Sequence, residues 1–144
     1  MKVLIINGPN LNMLGIREPE IYGSKSYDEL LEFVREVAFG LGIEASFFQS
    51  NSEGDIVDAV QEAYGKMDGI VINPAAYAHT SIAIPDALKA VSIPTVEVHL
   101  SDILTRERYR HFSYTSEVCI KTISGEGFEG YRGALEVLLE EFKK

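Results

Sequence analysis

After Met1 and Lys2 the chain runs Val3-Leu4-Ile5-Ile6 with nothing polar among them, then breaks at Asn7-Gly8-Pro9-Asn10. A strand wetted on one face alternates apolar and polar residues, whereas one that is apolar at every position must be covered on both faces. That constraint recurs along the chain. Residues 43–49, 69–73, 94–99 and 118–123 read as four further strands, and helical patterns separate them. Ser26 and Glu29 form a capping box ahead of Leu30, Val34, Val37, Ala38 and Leu41, and Gly42 closes that helix. Ser52 and Asp55 open another helix, with Ile56, Val60, Ala63 and Met67 on its apolar face. A third covers about 84–92 with Pro85 and Asp86 in its first turn, a short helical stretch covers 102–111, and a last helix runs from about Phe128 to Phe142.

Strands alternating with helices specify an α/β chain, here a doubly wound sandwich on a five-stranded parallel sheet. Right-handed crossovers with helices on both faces favour the flavodoxin-like order 2-1-3-4-5. At 144 residues the sequence accommodates one domain, 1–144, with a full core. Acidic residues outnumber Lys plus Arg by 22 to 13, a net charge of -9, which argues against nucleic acid or an anionic membrane as partner. An anionic small molecule stays open if arginines gather in one place. No apolar run is long enough to span a bilayer, and the first one is a poor signal-peptide core. With Cys119 the single cysteine, an intramolecular disulfide and a cysteine zinc cluster are excluded, and a cytoplasmic location is expected.

Sheets of this type bind ligands beyond the carboxyl ends of their strands, and those ends are unusually polar here. The first strand ends in Asn7-Gly8-Pro9-Asn10, the third in Asn73-Pro74-Ala75-Ala76-Tyr77-Ala78-His79, and the fourth in Glu97-Val98-His99-Leu100-Ser101. Alternation puts Thr95, Glu97 and His99 on one face, where the carboxylate and imidazole need a site or each other. His99 is the acid–base candidate by position, His79 a ligand contact beside Thr80 and Ser81, and His111 a packing or capping residue. The connection from Gly8 to Lys25 far exceeds an ordinary βα loop. Gly15 and Gly23 bracket a lid at about 15–25 that carries Arg17 and Tyr22. Cys119 reads as inert core within the fifth strand.

Several common cofactor motifs are absent. His79 and His99 lack a third ligand for zinc, no G-x-G-x-x-G follows the first strand, and no lysine stands at the ends of strands one, three or four. A flavin-binding electron carrier on the same fold is the alternative. It would want a Ser/Thr-rich phosphate loop where this chain has Asn7-Gly8-Pro9-Asn10-Leu11-Asn12.

The segment Asn7 to Asn12, then Leu14-Gly15, Arg17, Pro19 and Tyr22-Gly23, resembles the signature of type II 3-dehydroquinate dehydratases. So do Asn73-Pro74, Ala76-Tyr77, His79-Thr80-Ser81, Asp86-Ala87, Glu97 to Ser101, Arg106-Glu107, Arg110-His111, Ser113, Ser116, Gly127 and Gly130-Tyr131. Ala78, Pro85 and Lys121 depart from the residues common in that family. The resemblance implies a flavodoxin-like enzyme, without metal or organic cofactor, that converts 3-dehydroquinate to 3-dehydroshikimate in the shikimate pathway of aromatic amino acid biosynthesis. It implies a homo-oligomer, a dodecamer of trimers. It makes Tyr22 the base and His99 the acid, with Arg17 supporting the transition state. Asn73, His79, Asp86, Leu100, Ser101 and Arg110 would hold substrate, Asp86 from a neighbouring subunit, with Asn10 and Glu97 in support.

Overall fold

The computed structural model describes residues 1–16, 18–22 and 24–144, and for residues 19 and 22 the backbone alone. The five apolar runs become β1 (Lys2–Asn7), β2 (Glu44–Gln49), β3 (Gly69–Asn73), β4 (Thr95–His99) and β5 (Lys121–Ser124). Every pairing is parallel and the order is β2-β1-β3-β4-β5, the doubly wound, flavodoxin-like sheet that the sequence predicts. The helices are α1 (Pro19–Tyr22), α2 (Tyr27–Leu41), α3 (Glu53–Glu62), α4 (Ala83–Val91) and α5 (Glu129–Phe142).

Each face of the sheet has its own core. Val3, Ile5, Val71, Val96 and Val98 meet Leu30, Val34 and Val37 of α2 and Tyr131, Leu135 and Leu138 of α5. On the other face Leu4, Ile6, Ile70 and Ile72 meet Ile56 and Val60 of α3 and Ile84, Leu88 and Val91 of α4. Each such side chain, fully buried, contributes roughly 1.5–3 kcal/mol of transfer free energy, so a strand that is apolar on both faces is held from both sides. The α2 start is the expected capping box: the Glu29 N–H donates to Ser26 Oγ at 3.1 Å and the Ser26 N–H to Glu29 Oε1 at 3.5 Å. Gly42, at φ 72°, ends the helix. Among the described residues no helix is long and apolar enough to cross a membrane.

Three local expectations need correction. The fifth strand starts at Lys121 rather than at residue 118, because Thr115–Val118 wind into a 3-10 turn. Ser113 Oγ accepts the Ser116 N–H at 3.2 Å, and Ser116 Oγ donates back to the Ser113 carbonyl at 2.7 Å. Side-chain-to-backbone bonds of this kind compete with strand formation in a segment whose apolar pattern looks like a strand. Cys119 therefore precedes the strand and is half-buried, and burial pushes its thiol up to about 12. Residues 102–111 form two 3-10 turns, Ile103–Thr105 and Arg108–Arg110, split by extended backbone at Arg106 and Glu107. The long connection after β1 is partly ordered, with a 3-10 turn at Leu11–Met13 and then α1; Leu11 and Leu14 are buried in the core.

The two ends of the 15–25 segment meet. A Cβ on Gly15, which sits at φ 86°, would stand 3.1 Å from the Ser24 carbonyl oxygen and 3.3 Å from that of Lys25. A second close approach joins β1 to β3 where the site begins. The Gly8 N–H donates to the Asn73 carbonyl at 2.8 Å, and a Cβ on Gly8 would lie 2.6 Å from the Pro74 carbonyl oxygen. Backbone cannot yield there as a flexible side chain could. Gly8→Ala is therefore expected to lower stability by roughly 1–3 kcal/mol, the usual overpacking cost. Urea unfolding checks this, and an unchanged midpoint would refute the contact.

Candidate active site

The carboxyl ends of β1, β3 and β4 open into one cleft whose empty volume, mouth included, is about 500 Å³. Asn10 enters it from the turn after β1, Asn73 and His79 from the end of β3 and the turn beyond, and His99, Leu100 and Ser101 from β4. Arg110 enters from the segment that follows, and so does Arg106, which the sequence reading did not select. Extended backbone at residues 106 and 107 turns Arg106 and Arg110 inward while Arg108 stays exposed. The Arg-x-Arg-x-Arg spacing was the available signal, but it could not say which of the three faces the cleft.

Not every expected residue meets there. Asp86 lies exposed on α4, away from the cleft lining of this chain. Arg17 and the side chain of Tyr22 lie outside the described residues. Glu18 reaches to 3.9 Å from Arg106, on the arginine side of the cleft.

Glu97 stands behind His99 rather than in the cleft. Its carboxylate is fully buried, and a lone charge there would be costly. Two donors offset the cost: His99 Nε2 donates to Oε2, and the Ser113 hydroxyl is shared between Oε1 at 3.0 Å and Oε2 at 2.8 Å. A carboxylate only accepts, so it fixes the proton on Nε2 and leaves Nδ1 as the other polar atom of the His99 ring. His79 stacks on His99 with ring centroids 6.3 Å apart. Its Nδ1 donates to the Phe112 carbonyl at 2.8 Å, which leaves Nε2 as an acceptor. Burial holds its pKa below the usual imidazole value, with the charges of His99 and Arg110 pushing the same way and the Phe112 bond opposing. His79 is thus a neutral imidazole at pH 7. His111, with Nε2 at 3.0 Å from the Arg106 carbonyl, caps the turn as expected.

A family model for class II dehydroquinases matches residues 1–139. The chain belongs to that family. It is 57% identical over 131 residues to the 3-dehydroquinate dehydratase of Clostridium acetobutylicum, covering 91% of each chain. The crystal structure of the type II dehydroquinase from Butyrivibrio crossotus superposes with a TM-score of 0.95 at 51% identity, over 96% of this chain and 97% of that one. That of Propionibacterium acnes gives 0.92 at 41% identity, over 96% of both. The flavin-carrier alternative finds no support in these matches.

Within this chain the cleft floor rests on a polar network that joins two strands to a helix. Asn7 and Asn73 pair in register at the ends of β1 and β3, both buried. Tyr131 of α5 donates its hydroxyl to Asn7 Oδ1 at 2.6 Å and accepts from Asn73 Nδ2 at 3.1 Å. Asn7 Nδ2 donates to the Tyr27 hydroxyl at 3.3 Å, and Asn73 Oδ1 accepts the Ala75 N–H at 3.1 Å. Burial pushes both the Tyr131 and Tyr27 phenols above the ordinary tyrosine value, so neither suits the part of a base. The Asn73 bond helps hold Ala75 at φ 52°, a left-handed conformation that costs a residue with a Cβ roughly 1–2 kcal/mol. Strain of this kind collects at functional sites.

Arg106 and Arg110 share one carboxylate in the otherwise acidic chain. Glu107 Oε2 accepts from Arg110 Nε at 2.7 Å, and Glu107 Oε1 lies 3.7 Å from Arg106 Nε. Arg110, with the Tyr109 hydroxyl, holds the Glu107 carboxyl down at about 2. Arg106 Nη1 also donates to Ser101 Oγ at 3.2 Å. Glu18 stands 3.9 Å from Arg106 as well, so the two guanidiniums at the cleft meet two carboxylates. Tyr131→Phe strips the network of its central hydroxyl and leaves two buried amides short of a partner. It is expected to lower stability by roughly 1–3 kcal/mol in urea unfolding, and a neutral effect would show that the amides find other partners.

Proposed function

We propose that this chain dehydrates 3-dehydroquinate to 3-dehydroshikimate, with Tyr22 as base and His99 as acid. Family membership supports the reaction, and the pairing of His99 Nε2 with a buried carboxylate supports the acid. The chemistry requires removal of a weakly acidic proton next to a carbonyl and then expulsion of hydroxide, a poor leaving group. Tyr22 takes the α-proton, the electron pair moves into an enolate, and the enolate collapses to the conjugated enone as the C–O bond breaks. His99 Nδ1–H gives its proton to the departing oxygen, so water leaves. Glu97 accepts from Nε2, so the proton handed over is the one on Nδ1.

The demanding step is the base. A tyrosine with pKa of about 10 costs roughly 4 kcal/mol to ionise at pH 7. A guanidinium about 4 Å away, at an effective dielectric near 20, returns on the order of 4 kcal/mol before desolvation. Arg17, on the same lid segment as Tyr22, is assigned that task. The shifts at Tyr27 and Tyr131 support the choice, because those phenols are driven the opposite way. The substrate carboxylate is met by the amides at Leu100 and Ser101 and by Arg110, and a ligand hydroxyl by the neutral His79 acceptor and the Asn73 amide. Asn10 lines the same pocket in support.

In this reading residues 1–144 form one catalytic domain whose segment 15–25 closes as a lid. Asp86, exposed on its own chain, serves the site of a neighbouring subunit in a trimer, four of which build a dodecamer. The enzyme then acts in the shikimate pathway of the cytoplasm, with protein groups alone and no cofactor.

Purified protein mixed with 3-dehydroquinate is expected to produce enone absorbance in the ultraviolet, and no rise at micromolar enzyme would sink the assignment. Tyr22→Phe is expected to fold normally and to lose roughly a hundredfold or more of kcat, the scale of a general base. For His99→Ala, exchange of the α-proton with deuterated solvent is expected to survive better than net dehydration. Equal loss of both would remove the division into acid and base.

A further inference from the structure

We infer that Ser113 is a positioning residue for His99, acting through Glu97. The inference rests on the dehydratase reading for its kinetic consequence, but its geometry stands alone. Ser113 Oγ accepts the Ser116 N–H at 3.2 Å, which occupies a lone pair and turns its single O–H elsewhere. That O–H points at the Glu97 carboxylate, 3.0 and 2.8 Å from its two oxygens. Ser113 is itself 5% exposed and Glu97 fully buried, so water does not compete for the contact.

The consequence follows from how few groups hold Glu97. Its side chain lies mid-strand on β4, and among the described residues two bond to it: His99 in front and Ser113 behind. A carboxyl group turns about its last bond unless both oxygens are engaged. Ser113 straddles both, and so sets the plane in which Oε2 faces His99 Nε2. The ring orientation of His99, and with it the direction of Nδ1, is fixed one step further on. The charged and titratable groups around this relay are His79 stacked on His99, Arg110 beside His79, and Cys119 near Glu97. Of these the neutral His79 meets the ring itself, and it offers its own acceptor rather than a second hold on Glu97.

Capping of the Thr115–Val118 turn is the plainer role for Ser113, and it predicts a different outcome. Loss of a cap lowers stability and lowers every catalytic step alike. Loss of the hold on Glu97 strikes the protonation of the leaving oxygen more than removal of the α-proton. The test compares Ser113→Ala, Ser113→Cys and Ser113→Thr by kcat, KM, α-proton exchange in deuterated solvent and thermal unfolding. Ser113→Ala is expected to lose about tenfold or more in kcat with KM within twofold, and exchange is expected to fall less than dehydration. Ser113→Cys, a weaker donor, falls between, and Ser113→Thr recovers most of the loss. Dehydration within twofold of the unmodified protein, or exchange and dehydration falling together, would overturn the inference.

A second measurement does not depend on turnover. In 15N-labelled protein the Nε2–H signal of His99, assigned by its loss in His99→Ala, is expected to shift and exchange faster with solvent in Ser113→Ala. In Ser113→Thr it is expected to hold. An unmoved signal in Ser113→Ala would overturn the positioning role even if 3-dehydroquinate proved not to be the substrate. Inactivity of the unmodified protein towards 3-dehydroquinate, with the signal moving as expected, would overturn the functional reading and leave the relay standing.

Discussion

A buried parallel sheet has no polar surface except at the ends of its strands. With α2 and α5 on one face and α3 and α4 on the other, the side chains of β1, β3 and β4 are committed to packing until the strands run out. At that limit register decides what meets. Asn7 lies opposite Asn73, and β4 delivers Glu97 and His99 one strand further on. The whole site depends on these pairings holding to the residue, since a slip of one would turn each polar side chain to the other face.

Buried polar groups at the strand ends then have to be satisfied, and the solutions differ on the two faces. On the α5 side, Tyr131 joins the amides of Asn7 and Asn73 in a neutral network. On the α4 side a charge is kept, with the Glu97 carboxylate shared between His99 and Ser113. The first arrangement braces the floor of the cleft. The second presents one imidazole nitrogen outward with the other tied down, which is what a directional proton donor requires. Net charge plays no part in either, and a chain of charge -9 still gathers two guanidiniums at the mouth because local geometry outweighs the distant field.

Several elements of this arrangement were legible beforehand for identifiable reasons. Strands such as residues 2–7 and 69–73 were legible because continuous apolar runs ending at Asn-Gly or Asn-Pro have few other folded outcomes. The α2 start was legible because a capping box is a local hydrogen-bond pattern. The alternation along Thr95–His99 put Glu97 and His99 on one face before any coordinate did. The misplaced start of β5 has an equally physical cause. Val118, Cys119 and Ile120 have the composition of a strand, but two serine side chains upstream bond to local backbone and wind the chain instead. Arg106 was overlooked because its direction depends on an extended break between two short turns, which residue spacing does not encode.

The sequence by itself determined the architecture, the end of the sheet that carries chemistry, and the placing of an imidazole and a carboxylate on one face of a strand, because periodicity and strand alternation are short-range properties of the backbone. Only the tertiary structure decided which atoms do what. It set Nε2 of His99 on Glu97, made His79 an acceptor through the Phe112 carbonyl, hung two asparagines on a tyrosine far away in sequence, and put Ser113 behind the carboxylate. Those contacts join residues from different elements, and their geometry exists only once packing has brought the elements together.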